Sequence, residues 1–125
     1  MREDLAMACR FLGVIHRWAL RQPLREAESL LVPAETVQVL APGWWRAQRS
    51  LIVVTTSRVL LVRRQVQGSS PHQATYPVGR LEVLRVEACS PEETRFRVRV
   101  GLDLEEFSVT RHGAQVERVL RTPRP

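Results

Sequence analysis

Two neighbouring segments of the sequence are apolar at every position, and this feature constrains the fold more than any other. Residues 51–54 read Leu-Ile-Val-Val and residues 59–62 read Val-Leu-Leu-Val, with a tight turn predicted near Thr56 and Ser57. A strand with one face in water alternates apolar and polar side chains, because successive side chains point to opposite faces of the sheet. Neither segment alternates. We therefore predict a β-hairpin with both faces covered by other parts of the fold.

The beginning of the chain is also more apolar than a surface exposed to water would be. The sequence predicts a helix over residues 3–21 that ends before Pro23, and a second short helical segment over residues 24–31 that Pro33 closes. The polar residues of the first helix form a narrow stripe, so most of its surface needs a cover. We infer that the helix and the hairpin cover each other, within one chain or across a dimer. The predicted interface side chains on the helix are Phe11, Val14, Ile15 and Trp18.

Beyond Pro33 the apolar residues follow the period of short strands, which predicts a barrel or a sandwich. Turn residues at 41–43 separate the first two strands, and a loop covers residues 65–72. A terminal helix over residues 112–122 carries apolar residues at helical spacing. The predicted strands are residues 36–40, 49–55, 58–64, 73–78, 81–89, 94–100 and 105–110.

The last predicted hairpin alternates regularly enough to suggest its register. If residues 101–104 form the turn, Val98 faces Phe107 and Arg99 meets Glu106 on the outer face. A slip by one residue would place Phe107 against an arginine. Arg99 is then expected to form an ordinary cross-strand ion pair.

Three segments carry a resemblance to a known family. They read PAETVQVLAPG at residues 33–43, SLIVVTTSRVLLV at residues 50–62 and YPVGRL at residues 76–81. In this order they resemble the bacterial PH-like (pleckstrin-homology, GRAM-like) domains, and the likeness continues strand for strand over about residues 33–122. The chain departs from the family pattern at Thr56, where Asp is usual, at Ser57, where the first of two arginines is usual, and at Gly79, where an acidic residue is usual.

The resemblance implies a mainly β, α+β fold in one PH-like domain at residues 33–125. Its seven-stranded, strongly bent sheet or barrel would be capped by the C-terminal helix. Residues 1–32 lie outside the match and form an N-terminal helical extension, which would pack on the sheet or on a partner. In that family the fold is a platform for binding proteins or membranes and is not known as a catalytic scaffold, and Arg58 and Arg80 recur in its pattern.

The charge of the chain favours anionic partners without choosing among them. All 19 basic residues are arginine, and the net charge is +6. The absence of lysine and asparagine is typical of a GC-rich bacterial genome, and the arginines are scattered along the chain without a block of like charge. Without a basic cluster or a row of stacking aromatics, nucleic acid is not an expected partner.

The sequence contains no recognisable catalytic or metal-binding motif. The only aspartates are Asp4 and Asp103, and the three histidines have no ligand-type spacing to one another or to a cysteine. Cys9 and Cys89 are far apart and are expected to be free thiols. We therefore expect a non-enzymatic protein without cofactor or metal, located in the cytoplasm or peripherally at the membrane.

The sharpest local feature is the sequence Trp44-Trp45-Arg46 after the predicted Pro-Gly turn. Tryptophan and arginine are enriched in protein interfaces, and both also suit an anionic membrane surface. The alternative is that one or both indoles fill the mouth of the barrel or pack on the N-terminal helix. The predicted function is a PH-like interaction module that binds a protein partner or itself, with anionic lipid as the second candidate. Its predicted binding residues are Trp44, Trp45, Arg46 and Arg49.

Overall fold

The computed structural model describes residues 2–63 and 72–122, with all of their side chains except those of Phe11, Val14, Ile15 and His16. The predicted loop at 65–72 therefore lies outside the described residues, except for His72. The helices are α1 (Glu3–Ala8), α2 (Val14–Ala19), α3 (Arg21–Leu30) and α4 (Gly113–Arg121), with short 3₁₀ turns at Cys9–Phe11 and Val78–Arg80. The strands are β1 (Val37–Trp45), β2 (Gln48–Thr55), β3 (Arg58–Arg63), β4 (Gln73–Pro77), β5 (Leu81–Ala88), β6 (Thr94–Val100) and β7 (Asp103–Val109).

The described strands form one antiparallel sheet in the order β4-β3-β2-β1-β7-β6-β5. Strands that are neighbours in the sheet are consecutive in the chain, except for β1 and β7, whose pairing joins the two halves of the sheet. The end strands β4 and β5 do not pair with each other in the described residues, so the sheet is open and is not a closed barrel. The predicted mainly β fold with a C-terminal helix is confirmed at this level.

Strands β1 to β3 are buried on both faces, because they contribute to two separate apolar clusters. We call the first the inner core, in which Ile52, Val54 and Leu61 pack with β6, β7 and helix α4. We call the second the outer core, in which Leu51, Val53 and Leu60 pack against the N-terminal helices. The N-terminal helices contribute Leu5, Ala8, Cys9, Leu12, Leu20, Leu24 and Ala27 to the outer core. The hairpin and the helices therefore cover each other within one chain.

The N-terminal segment is a layer of three short helices and not the single helix predicted over residues 3–21. The chain is extended at Leu12, after the 3₁₀ turn, and α2 starts only at Val14. Pro23 does not end a helix but is buried in the first turn of α3. A proline is tolerated there, because the first N–H groups of a helix have no intrahelical acceptor.

Strand β1 runs through residues 41–43, which the sequence predicts as a turn. The carbonyl of Pro42 points towards β7 and accepts a hydrogen bond from the Thr110 N–H. The N–H that proline lacks would point to the same side, where the β1–β7 pairing ends, so little strand pairing is lost. Gly43 allows β7 to approach closely, because a Cβ at this position would lie 1.9 Å from the Ser108 carbonyl oxygen. Strand β1 therefore tolerates Pro42 and needs Gly43 for its pairing with β7.

The predicted register of the last hairpin is wrong by two residues. Val100 pairs with Asp103, so the turn consists of Gly101 and Leu102, and Gly101 has φ +63°. Phe96 then faces Phe107, with their rings stacked 5.3 Å apart. A shift of two residues leaves every side chain on its predicted face, so alternation alone cannot detect it. Arg99 forms its ion pair with Glu82 of β5 instead of Glu106.

Candidate functional site

The β1–β2 hairpin separates the two adjacent tryptophans onto opposite faces of the sheet. Trp45 pairs with Gln48, which leaves Arg46 and Ala47 as a two-residue turn with φ of 51° and 63°. Positive φ at both positions is typical of the type I′ turn that joins tightly paired strands. Trp44 is on the outer face of the sheet and Trp45 is on the inner face.

Trp45 is part of the inner core, so its side chain has almost no surface to offer a partner. Its side chain is 1% exposed and packs in the inner core. The guanidinium carbons of Arg46 and Arg63 lie 4.9 Å and 5.2 Å from its ring centroid, as in cation–π contacts. The ring therefore fills the end of the core, which the sequence interpretation gave as the alternative.

Arg46 contacts groups of its own chain on the inner side of the turn. Its guanidinium lies 3.4 Å from the carboxylate of Glu105, which also accepts a hydrogen bond of 2.6 Å from the Tyr76 hydroxyl. Burial raises the pKa of Tyr76, and the neighbouring Glu105 carboxylate raises it further. Tyr76 therefore stays protonated as a donor, and Arg46 is engaged in holding the turn against β4 and β7.

Trp44 and Arg49 are the two predicted binding residues that lie together on the surface. They are cross-strand neighbours, Trp44 is 41% exposed, and the Arg49 guanidinium carbon lies 5.8 Å from its ring centroid. Both line an open groove of about 1100 Å³. The other lining residues are Gly13, Pro42, Gly43, Pro91, Glu92, Thr94, Thr110, Arg111, His112, Gly113 and Ala114.

The groove combines an apolar wall with positive charge. Arg49 and Arg111 are both exposed, and Glu92 is the single acidic residue among the lining residues. Helix α4 begins at Gly113 on the groove wall, so the positive end of its dipole adds to the same sign. The groove can therefore receive an anionic group beside an apolar one.

The sequence did not predict that Arg111 and His112 belong to this site. The groove is assembled from Gly13 just before α2, the β1–β2 hairpin, the β5–β6 turn with the start of β6, and the start of α4. These segments are far apart in the chain, and no local pattern in any of them indicates a common surface.

Of the predicted interface residues on the N-terminal helices, Trp18 is described and is 68% exposed. The guanidinium carbon of Arg21 lies 5.3 Å from its ring centroid. The side chains of Phe11, Val14 and Ile15 lie outside the described part of the structure. An intermolecular contact through this group stays a prediction.

Arg58 has a structural role in a buried polar network centred on Glu35. Its Nη2 and Nε lie 2.6 Å and 3.1 Å from the two carboxylate oxygens of Glu35. Glu35 also accepts hydrogen bonds from the hydroxyls of Thr55 and Ser57 and from the Val32 N–H. The network joins the end of the helical layer to the β2–β3 turn. Arg80 is exposed on the 3₁₀ turn after β4, and its role stays a prediction.

Among the side chains that the structure describes, no group of three or more His, Cys, Asp or Glu is arranged to hold a metal ion. None of the described helices has the length and apolar character needed to span a membrane. No protein-family model matches the sequence, and neither does any curated protein.

Proposed function

We propose that the protein is a non-catalytic, PH-like interaction module that binds an acidic segment of a protein partner in the groove around Trp44 and Arg49. The observation that carries the proposal is the pairing of a half-exposed indole with an exposed guanidinium on the wall of an open groove. Tryptophan and arginine account for much of the binding energy at protein interfaces. The PH-like assignment is supported by the sequence resemblance and by the order of strands and C-terminal helix.

The chemistry of the groove favours a partner that presents an apolar side chain next to carboxylates. Arg49 and Arg111 supply charge for the carboxylates, while Trp44 supplies an exposed apolar surface. A second copy of the chain is a less suitable occupant, since its net charge of +6 would bring like charges together. Lipid binding through the Trp44-Trp45-Arg46 turn has less support, because Trp45 is buried and Arg46 is paired with Glu105.

A selection from a phage-displayed library of random peptides tests this function. We expect the full-length protein to select peptides rich in Asp and Glu around an aromatic or aliphatic residue. The variants Trp44→Ala and Arg49→Glu should each weaken binding of a selected peptide at least about thirtyfold, the size expected for an interface hot spot. Trp18→Ala is the matched control, because it removes an exposed indole outside the groove.

Three results would overturn the proposal: no peptide is selected, the selected peptides lack acidic residues, or Trp44→Ala binds them as well as the parent protein does. Light scattering on the same variants identifies self-association. If the protein is a dimer that Trp44→Ala dissociates, the partner in the groove is a second copy of the chain and not an acidic segment of another protein.

A further inference from the structure

The outer face of the N-terminal helical layer is strongly basic. Among the side chains described in residues 2–30, four exposed arginines stand against one exposed acidic residue, Glu3. The other acidic residues of the layer have partners, since Asp4 pairs with Arg2, Glu26 with His72, and Glu28 accepts from the Arg2 N–H. The four exposed arginines are Arg10, Arg17, Arg21 and Arg25.

This face differs from the other arginine-rich surface of the molecule, the outer face of β5 to β7. There Arg95 and Arg97 both lie within 3.4 Å of Glu106, Arg99 pairs with Glu82, and Arg85 with Glu87. In the described residues, no carboxylate pairs with the four arginines of the helical layer. Their charge is therefore available to a partner, whereas three carboxylates compensate most of the charge of the four sheet arginines.

The same helices also expose large apolar side chains. Trp18 is 68% exposed under Arg21, and Met7 is 54% exposed on α1. The opposite side of the helical layer packs in the outer core. Trp18 and Met7 therefore cannot become buried against the sheet unless the helices detach from it. An indole with an apolar body and a polar N–H is most stable at the boundary between water and lipid.

We propose that the outer face of the N-terminal helical layer binds an anionic membrane surface, with Trp18 at the level of the lipid headgroups. Dispersed arginines on short helices around an exposed indole suit a planar, negatively charged surface, to which such helices bind without spanning it. Each basic residue near an anionic leaflet strengthens binding about fivefold. This proposal does not depend on the groove, which lies at the β1–β2 hairpin and the start of α4.

Co-sedimentation of the full-length protein with vesicles tests the proposal. One set of vesicles contains phosphatidylcholine with phosphatidylserine, and the other contains phosphatidylcholine alone. We expect the protein to pellet with the first set at low salt, less at high salt, and not with the second set, because salt screens exposed charges. The triple variant Arg17→Gln/Arg21→Gln/Arg25→Gln should weaken binding about a hundredfold, and Trp18→Ala several-fold.

A triple variant on the sheet, Arg95→Gln/Arg97→Gln/Arg99→Gln, is the matched control because it removes the same number of positive charges from arginines that have carboxylate partners. It and Trp44→Ala should keep most of the vesicle binding, and urea unfolding checks that every variant is folded. The proposal is overturned if the protein does not pellet with phosphatidylserine vesicles at low salt. It is also overturned if the sheet variant loses as much binding as the helix variant, since net charge alone would then explain the binding. Loss of peptide binding with Trp44→Ala would leave this result unchanged.

Discussion

Glu35 and Arg58 form a two-point salt bridge that joins the segment after the helical layer to the first residue of β3. Nη2 and Nε of Arg58 reach both carboxylate oxygens, and the Glu35 side chain is almost completely buried. Arg58 also donates to the carbonyl of Leu30 at the end of α3. The pair therefore connects helices and sheet at the point where the chain passes from one to the other.

Removing one partner of this pair should destabilise the protein strongly. We expect Arg58→Met to lower the free energy of unfolding by about 3 kcal/mol, because it leaves the Glu35 carboxylate buried without its counter-charge. Urea unfolding followed by circular dichroism measures the change. Arg121→Met removes an exposed helix pair with Glu117 and should cost no more than about 0.5 kcal/mol. Equal costs for the two variants would contradict the structural role of Arg58.

The stability of the protein should fall in acid because of Glu35. Burial raises the pKa of Glu35, but hydrogen bonds from Arg58, Val32, Thr55 and Ser57 outweigh it and lower the pKa from 4.5 to about 2. The charged form is therefore favoured in the folded state, so the stabilisation is complete above pH 4.5 and is lost as the pH falls towards 2. The shift corresponds to about 3 kcal/mol.

Unfolding experiments between pH 6 and pH 2 measure this dependence. The variant Glu35→Gln should be less stable at neutral pH and should lose less stability on acidification than the parent chain. The variant should keep the smaller pH dependence that comes from Asp4. Burial raises the pKa of Asp4, but hydrogen bonds from Val37 and Arg2 together outweigh burial and lower it. Parallel pH curves for the two proteins would show that Glu35 is not the titrating group.

The same substitution should destabilise the protein much more at Trp45 than at Trp44. Trp45→Ala removes a buried ring from the inner core and should cost about 3–5 kcal/mol. Trp44→Ala removes a half-exposed ring and should cost less than about 1 kcal/mol. Denaturant unfolding of the two variants measures both losses of stability. A larger loss for Trp44→Ala than for Trp45→Ala would contradict the assignment of the two rings to their faces.

Ala47→Gly should stabilise the β1–β2 turn. Ala47 has φ of 63°, a left-handed conformation that costs a residue with a Cβ about 1–2 kcal/mol. Glycine avoids this cost but loses more chain entropy on folding, so the expected gain is about 0.5 kcal/mol. Ala6→Gly in helix α1 is the matched control and should be destabilising by up to about 1 kcal/mol. Thermal unfolding of both variants tests whether the signs differ.

Leu5→Ala tests the cover that the helices provide. Leu5 is fully buried in the outer core, so the cavity should cost about 2–5 kcal/mol. Leu102→Ala, at a residue that is 100% exposed on the β6–β7 turn, should change stability by less than about 0.5 kcal/mol. If Leu5→Ala were equally mild, the helices would contribute little to the fold.

The fold could be predicted from the sequence where side-chain burial repeats with a regular period. Strands β2 and β3 were recognisable because every residue from Leu51 to Val54 is apolar, and the same pattern indicated that a layer covers them. The exceptions arise from contacts between distant segments. The sequence predicts that Pro23 and Pro42 interrupt secondary structure. In the structure, Pro23 lies in the first turn of α3 and Pro42 lies within β1, at the end of its pairing with β7.

The candidate site was predictable only in part. The local sequence marked Trp44 and Trp45 equally, and only the position of the turn at Arg46 and Ala47 assigns one to each face. A shift of the turn by one residue would exchange the two rings. Arg111 joins the groove through the β1–β7 pairing, which connects residues far apart in the chain and has no local signature.

Since Leu51 and Ile52 are consecutive residues of one strand yet belong to different cores, the two cores share a single backbone ladder. Water that reached the outer face of β2 would hydrate Leu51 and Val53, whose burial stabilises the same strand that carries the inner core. Detachment of the N-terminal helices would therefore expose an apolar sheet face, and we expect the molecule to unfold as one cooperative unit. A protease that cuts after residue 32 would release fragments that aggregate instead of a trimmed, functional domain.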